Sequence, residues 1–316
     1  MPKLTNPDEL SGSILAALFG VCPYNSANDV MGRVYDFIDG QPMPDFSSEP
    51  TQWGNTLEPM ILKEACLRLG ITNLNLNHTE AYRHINIPIA VSLDGSATVD
   101  EPMTIKHNPD KGIFVDDGDQ ITIEGFGCLE AKNTSVMPEE HLPLHRGVVQ
   151  LQAQMLCSDA TWGAVCVLYR GNELRVFLYR LHEGVCFKIE KAAIEFEDKV
   201  NHYKATKERL DYPPSSPIDA AKLYSNTTTA ELQLDDSINE TCEHIVNVKS
   251  QISELNKVIR EKEKTLADYY LALQKKMGKH ESATNGRYYL KWTTRHYKAQ
   301  PERYKRSTTV TVKELL

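Results

Sequence analysis

A segment near the middle of the chain alternates apolar and polar residues and carries a glutamate and a lysine two positions apart. It runs from Ile121 to Lys132 as Ile-Thr-Ile-Glu-Gly-Phe-Gly-Cys-Leu-Glu-Ala-Lys, and such alternation predicts a β-strand. Side chains two apart on a strand project to the same face. We therefore expect Glu130 and Lys132 to point together into one cleft, while Ala131 packs behind them.

An aspartate upstream completes a set of chemical groups. Asp94 ends the apolar approach Ala90-Val-Ser-Leu and is followed by Gly95, which predicts a turn. An aspartate followed by Glu-x-Lys on a strand is typical of metal-dependent nucleases. Two carboxylates bind a hard cation such as Mg²⁺ through oxygen, and a lysine orients the attacking water and offsets charge on the phosphate. The alternative interpretation is a turn aspartate and a surface glutamate–lysine pair on an exposed strand edge.

The composition is that of an ordinary globular protein. A chain of 316 residues suffices for one large or two modest domains, and its 41% hydrophobic and 25% charged residues are typical values. No apolar run approaches the ~18 residues of a membrane span, and the first residues lack the form of a signal peptide. The seven cysteines show no C-x-x-C spacing, which favours reduced thiols over a zinc site. We expect a cytoplasmic protein without membrane contact.

The charge is unevenly distributed. A formal net charge of −8 argues against binding to nucleic acid. However, residues 275–316 carry a net +8, which leaves −16 on the rest of the chain. This basic tail could contact phosphates, although a solvated basic surface is the alternative interpretation.

Helix and strand patterns divide the chain into three parts. The predicted helices of the first part are 11–20, 27–38, 60–69, 143–158 and 191–204, and its predicted strands are 86–92, segments within 112–132, 162–169 and 173–179. In the fourth helix, Gln150 and Gln154 share a face because they are four apart, while Gln152 points elsewhere.

A Pro/Ser-rich stretch separates this core from a long helix. We expect a core domain over residues 1–210, a linker over 211–234, and a long helix with a basic β appendage over 235–316. Apolar residues recur at near-heptad spacing along the helix, predicted over 235–277. It could pack on its own core or on a partner. The appendage strands are expected near 287–294 and 308–312.

Five motifs occur in a defined order. They are Ser11-Gly12-Ser13, Trp53-Gly54-Asn55-Thr56-Leu57-Glu58-Pro59, Ser92-Leu93-Asp94-Gly95, Leu129-Glu130-Ala131-Lys132 and Gln150-Leu151-Gln152. Over about residues 11–200 this set resembles the YqaJ-like viral recombinase family, the family of phage lambda exonuclease, within the PD-(D/E)xK nuclease superfamily. The resemblance implies an α/β (α+β) fold. It has a restriction-endonuclease-like core, a mixed sheet flanked by helices, and a C-terminal long helix with a small β appendage.

The resemblance also implies an activity. Relatives are Mg²⁺-dependent exonucleases, with Mn²⁺ as a possible substitute, that degrade linear double-stranded DNA from the 5′ end. They leave a 3′ single-stranded tail for a single-strand annealing protein in phage-type recombination, and they form trimeric rings around the duplex. A structure-selective endonuclease and a non-catalytic protein that binds DNA ends stay open as alternatives. A helicase is disfavoured because the chain has no G-x-x-x-x-G-K-[ST] loop.

The resemblance assigns metal ligands and an adjacent lysine. Asp94 and Glu130 would be metal ligands, together with the backbone carbonyl of Ala131. Lys132 would position the water and stabilise the transition state.

Three further residues receive roles from the resemblance. Glu58 would bind the metal or place a second ion, Gln152 would orient the nucleophile or the scissile phosphate, and Ser13 would help hold the 5′-terminal phosphate. Relatives usually carry an arginine shortly before the Gly-Ser motif, which this chain lacks. Lys3 and Arg33 are candidate replacements.

Overall fold

A computed structural model describes residues 5–42, 48–225, 232–280, 282–285 and 287–292. The chain forms two compact units, Met1–Ser225 and Asn226–Leu316. Within the described part of the chain, no helix is both long enough and apolar enough to cross a membrane.

A six-stranded mixed sheet forms the centre of the first unit. The strands of this unit are β1 (Asn73–Asn75), β2 (Tyr82–Arg83), β3 (Ala90–Val91), β4 (Gly95–Lys106), β5 (Ile113–Val115), β6 (Gln120–Thr134), β7 (Trp162–Tyr169) and β8 (Glu173–Arg180). The spatial order in the sheet is β1-β4-β6-β7-β8-β5, while β2 and β3 form a separate two-stranded ladder. The pairs β6–β7 and β5–β8 are parallel, and the other pairs of the sheet are antiparallel. This mixed sheet agrees with the predicted fold class.

Helices cover both faces of the sheet. They are α1 (Leu15–Leu18), α2 (Ala27–Ile38), α3 (Glu49–Leu69), α4 (Val149–Ser158), α5 (Glu183–Thr206) and α6 (Pro217–Leu223). One hydrophobic cluster joins α1, α2, α4 and α5 to one face, and a second joins the C-terminal half of α3 to the other. Side chains alternate between the two clusters along β5, β7 and β8. Along β6, Cys128 belongs to the α4 side, whereas Leu129 and Ala131 pack on the α3 side.

Several predicted helices differ from the observed ones near their starts, and the helix predicted over 191–204 is part of α5, which begins at Glu183. The 27–38 helix has the predicted bounds, but α3 begins at Glu49 and continues through Pro59. Ser48 caps α3 by accepting a hydrogen bond from the Thr51 amide at 3.3 Å. Glu58 therefore lies within the helix rather than near its start, which corrects the prediction. The predicted 11–20 helix is a short 3₁₀ turn followed by α1.

The segment before α4 is irregular rather than helical. Arg146 and Gly147 have non-helical backbone angles, and Gly147 has a φ of +89°. The helix predicted over 143–158 therefore becomes a regular α-helix only at Val149.

Part of the predicted linker packs against the first unit. The Asn28 side chain donates to the Tyr212 carbonyl at 3.0 Å and accepts from the Tyr212 amide at 2.7 Å. Tyr212 is buried, as is Asp219 on α6. Residues 211–225 therefore belong to the first compact unit, and the division between the units falls after Ser225.

The second unit contains a long helix and a small hairpin. The helix is α7 (Asn239–Met277), preceded by a 3₁₀ turn at Asp236–Ile238. The antiparallel strands β9 (Ser282–Thr284) and β10 (Tyr289–Lys291) follow. The strand predicted near 287–294 overlaps β10, whereas the one predicted near 308–312 lies outside the described residues.

Candidate active site

Asp94 immediately precedes β4, at the point where the pairing of β4 with β6 ends. The ladder between these strands ends at the pair Gly95–Leu129. Two residues further along β6, the Ala131 amide donates to Asp94 Oδ2 at 2.9 Å, so a side chain takes the place of a paired strand there. The N–H and C=O of one strand residue point to the same side. The Ala131 carbonyl therefore faces the same open edge as Asp94.

Glu130 is the most buried charged group of the cluster. Its side chain is 1% exposed. Oε1 accepts a hydrogen bond from Lys132 Nζ, and Oε2 accepts from Gln150 Nε2 at 3.0 Å and Gln154 Nε2 at 2.6 Å. The charge of the Asp94 carboxylate also acts on the Glu130 carboxyl. The alternative of a solvent-exposed glutamate–lysine pair therefore does not describe this arrangement.

The site carries more negative than positive charge. Burial raises the pKa of the Glu130 carboxyl, and the neighbouring charge of Asp94 raises it further. Burial also raises the pKa of Asp94, with Lys132 partly opposing that effect. For Lys132, burial alone lowers the pKa, but the charges of Glu130 and Asp94 outweigh it and the net direction is upward. Lys132 is therefore a stable ammonium beside two crowded carboxyls.

Glu58 approaches this cluster from α3. Burial raises the pKa of its carboxyl to about 7, and the charge of Asp94 contributes in the same direction. Lys132 opposes the shift, so Glu58 lies within the electrostatic reach of both residues. The structure thus brings the sequence-predicted residues Glu58, Asp94, Glu130 and Lys132 into one region.

The donor atoms fit a divalent ion that keeps part of its own hydration shell. Within the described residues, no three Asp, Glu, His or Cys side chains converge closely enough to enclose a metal. Mg²⁺ does not require such a cage, because it is commonly bound through one or two carboxylates plus water and phosphate oxygens. Asp94, Glu130 and the Ala131 carbonyl supply oxygen donors of this kind.

The raised pKa of Glu58 predicts a pH effect in metal-free protein. Between about pH 4.5, its ordinary pKa, and about 7, the folded state holds a proton that the unfolded state has lost. The contribution of Glu58 to the free energy of unfolding therefore falls as pH rises through this window. We expect Glu58→Gln to gain stability relative to wild type between about pH 5 and 8, measured by thermal unfolding in EDTA. If the melting temperatures of the two proteins changed with pH in the same way, the shifted pKa of Glu58 would be contradicted.

The three glutamines of α4 have different positions. Gln150 and Gln154 contact Glu130, and Gln150 Oε1 also accepts from Lys132 Nζ at 3.2 Å. Gln152 does not reach them. Its Nε2 donates to the Arg180 carbonyl at 2.9 Å, and its Oε1 accepts from the His182 amide at 2.8 Å. The geometry therefore joins Gln152 to the end of β8, whereas the resemblance gave it a role at the phosphate. The i,i+4 spacing predicted that Gln150 and Gln154 share a face, and both contact Glu130.

A pair of substitutions separates these roles. Gln150→Ala removes contacts to Glu130 and Lys132, and we expect the nuclease activity that the resemblance implies to fall roughly 10- to 100-fold with little loss of stability. Gln152→Ala leaves a buried carbonyl and amide unpaired, which costs about 1–3 kcal/mol of stability but spares cleavage by the folded protein. Thermal unfolding and a cleavage assay measure both effects. Loss of cleavage without loss of stability in Gln152→Ala would support the role implied by the resemblance.

Gly147 leaves space that the site residues occupy. A Cβ placed there would lie 3.1 Å from Lys132 Cε and 3.3 Å from Glu130 Cγ. Its φ of +89° also disfavours residues with side chains. The irregular segment before α4 thus packs directly against the two side chains. Nothing in the sequence patterns identified this residue.

Gly147→Ala tests that packing. We expect a stability loss of about 1–3 kcal/mol from backbone strain and, because Lys132 and Glu130 must move, reduced cleavage by the folded fraction. Gly171→Ala is a matched control, since Gly171 has a φ of +74° and open space around it. The control should lose stability without losing cleavage. Equal cleavage by both variants would show that Gly147 does not position the site.

Ser13 lies on the turn that packs against α4. It is exposed, and its Oγ lies 3.0 Å from Ser11 Oγ. A Cβ on the intervening Gly12 would lie 3.6 Å from Gln150 Cγ, so this turn adjoins the glutamine that contacts Glu130. Of the candidate phosphate-binding cations, Arg33 donates to Asn25 Oδ1 at 3.2 Å. Lys3 lies outside the described residues.

The fold and site define a class: an α/β protein whose mixed sheet carries an Asp, a Glu and a Lys in one partly buried cluster. No family model matches the chain, and no curated protein matches it.

Solved structures similar to this chain include three exonuclease structures. LHK-Exo in complex with dAMP aligns at 15% identity and a TM-score of 0.45, covering 68% of this chain and 95% of its own. The alkaline exonuclease LHK-Exo from Laribacter hongkongensis gives 14% identity, the same TM-score and the same coverage. A phage-related exonuclease from Haemophilus somnus 129PT gives 12% identity and a TM-score of 0.37, covering 63% of this chain and 96% of its own. All three TM-scores lie below 0.5, and similarity at this level does not show that this chain has the activity of those proteins.

Proposed function

We propose that this protein is a divalent-metal-dependent deoxyribonuclease, specifically a 5′-to-3′ exonuclease on linear double-stranded DNA. One observation carries the proposal. Asp94 is 36 residues before Glu130 in the sequence, yet it lies beside Glu130 and Lys132 at the open edge of β6. Carboxylates for a hard cation and an adjacent ammonium are the groups that phosphodiester hydrolysis requires.

Each side chain has a distinct task in this reaction. A bound Mg²⁺ supplies Lewis-acid chemistry, lowering the pKa of a water and neutralising charge on the phosphate. Asp94, Glu130 and the Ala131 carbonyl would hold it, with Glu58 assisting from α3. The Lys132 ammonium stabilises the negative charge that develops on the phosphate oxygens. Gln150 and Gln154 hold the Glu130 carboxyl in place through its Oε2.

The substrate part of the proposal is supported by the five ordered sequence motifs. They are similar to those of exonucleases that start at a 5′ end and leave a 3′ single-stranded tail. We extend this to a role in phage-type recombination, with a single-strand annealing protein as the recipient of the tail. Assembly into a trimeric ring around the duplex belongs to the same proposal.

Digestion of labelled DNA tests the activity and its direction. Linear duplexes labelled at the 5′ or 3′ end of one strand, with a 5′ phosphate or a 5′ hydroxyl, are incubated with and without Mg²⁺. We expect Mg²⁺-dependent release of the 5′ label first and no cutting of closed circular DNA. Equal cutting of circles would support the structure-selective endonuclease. Binding of DNA ends without cleavage under any divalent metal would support the non-catalytic alternative.

A further inference from the structure

The long helix of the second unit carries a regular apolar repeat. Starting from Ile238 in the 3₁₀ turn just before α7, every seventh position is isoleucine or leucine, namely Ile238, Ile245, Ile252, Ile259, Leu266 and Leu273. The positions three residues after each of these are Thr241, Val248, Leu255, Lys262, Tyr269 and Lys276. The two series are the a and d positions of a heptad repeat. A seven-residue period is the signature of a helix that supercoils with another helix.

Within the second unit, the side chains of this stripe are exposed. The exposed fractions of its apolar and aromatic residues range from 37% at Ile238 to 66% at Tyr269, apart from Ile245, which is partly buried. Among the described side chains of α7, only Met277 at its C-terminal end is buried. An apolar face of this length indicates an interaction surface.

We propose that α7 pairs with α7 of a second copy of this chain as an antiparallel two-stranded coiled coil. The helix has 39 residues, which corresponds to a length of roughly 58 Å. A contact strip about 10 Å wide would bury roughly 600 Å² on each chain. The total of roughly 1,200 Å² exceeds the ~1,000 Å² expected of a specific interface.

The positions of the charged residues favour an antiparallel pair of helices over a parallel pair. In a parallel pair, Lys262 at a d position would face Lys262 of the second copy. In an antiparallel pair centred near residue 257, each a position faces a d position, so Lys262 faces Ile252 and its ammonium can extend to water. The same alignment places Lys249 beside Glu263 of the second copy, twice per pair. In a parallel pair, the residue just before each a position (g) faces the residue just after a d position (e) of the second helix. No such g–e pair in this sequence joins opposite charges.

The proposed partner is a second copy because the repeat is self-complementary in this alignment. Leu266 faces Val248, Ile259 faces Leu255, and Ile245 faces Tyr269 of the second copy, so every a residue except those at the ends meets a large side chain. The pairing is independent of the nuclease activity, since it uses only the second unit.

Light scattering on the full-length protein tests the pairing. Ile252→Lys with Ile259→Lys places two charges in the stripe. Ser250→Lys with Ser253→Lys adds the same charge at exposed positions of the opposite face. We expect the stripe variant to contain half as many chains per particle as wild type, and the control to match wild type. Circular dichroism checks that both retain helix. An unchanged mass for the stripe variant, or a threefold decrease, would overturn the proposal.

Disulfide crosslinking tests the orientation. In a Cys242→Ser background, Val248→Cys and Leu266→Cys proteins are oxidised separately and as a mixture, and crosslinked peptides are identified by mass spectrometry. The antiparallel pair predicts a 248–266 disulfide in the mixture and no 248–248 or 266–266 disulfide in either protein alone. Self-crosslinking of the separate proteins would show a parallel pair and overturn the proposed orientation.

Discussion

Lys132→Ala is expected to abolish cleavage while leaving binding to DNA largely intact. The Lys132 ammonium is the positive charge at the Asp94–Glu130 cluster, where its Nζ donates to Glu130. Removing one preorganised electrostatic group of this kind typically costs about 10²- to 10³-fold in rate. Binding to a duplex depends on many phosphate contacts, so one lysine contributes little to it. Single-turnover cleavage and filter binding on the same linear duplex measure both quantities.

The control for this variant is Lys63→Ala, which removes an exposed lysine from α3. It should cleave at the wild-type rate, so that a general loss of charge is separated from the loss of Lys132. A parallel loss of cleavage and binding in Lys132→Ala, together with a lower melting temperature, would show that Lys132 has a structural role instead.

Asp94→Asn is expected to lose the response to Mg²⁺ without losing the fold. Burial raises the pKa of Asp94, and its negative charge raises the pKa of both Glu130 and Glu58, so its carboxylate is a source of repulsion in the metal-free protein. An asparagine oxygen can still accept the Ala131 amide hydrogen bond, and we expect the metal-free variant to be at least as stable as wild type. Cleavage should fall by about 10²-fold or more, because the variant lacks a carboxylate ligand.

Thermal unfolding supplies a readout of metal binding besides activity. A ligand at about 100 times its Kd adds about 2.7 kcal/mol to the free energy of unfolding, which corresponds to roughly 5–10 °C for a unit of this size. We expect Mg²⁺ to stabilise wild type in this way and Asp94→Asn hardly at all. Asp100→Asn, at an exposed position of β4, should respond like wild type. An equal Mg²⁺ response in Asp94→Asn would place the metal elsewhere.

Short-range patterns predicted several parts of the site. Alternation along β6 predicted that Glu130 and Lys132 share a face, and their hydrogen bond confirms it. Helical spacing predicted that Gln150 and Gln154 share a face, and both contact Glu130. Such predictions succeed because side-chain direction follows directly from local backbone geometry.

The remaining features depend on contacts between distant segments. Asp94 and Ala131 are brought together by the end of the β4–β6 ladder, which no local pattern encodes. The role assigned to Gln152 came from the resemblance, whereas its hydrogen bonds to β8 and the residues beyond it depend on tertiary packing. The helix predicted over 60–69 follows Pro59, whereas α3 begins at Glu49 and continues through that proline. The conformation of Gly147 likewise follows from the packing of Lys132 and Glu130 against it.

The central claim is that the Asp94–Glu130–Lys132 cluster hydrolyses DNA with a divalent metal. Its most direct test is the release of nucleotides from a linear duplex by wild type and Glu130→Gln, each with Mg²⁺ and with EDTA. The account predicts release only by wild type with Mg²⁺. Release by Glu130→Gln at the wild-type rate, or release by wild type in EDTA, would contradict it.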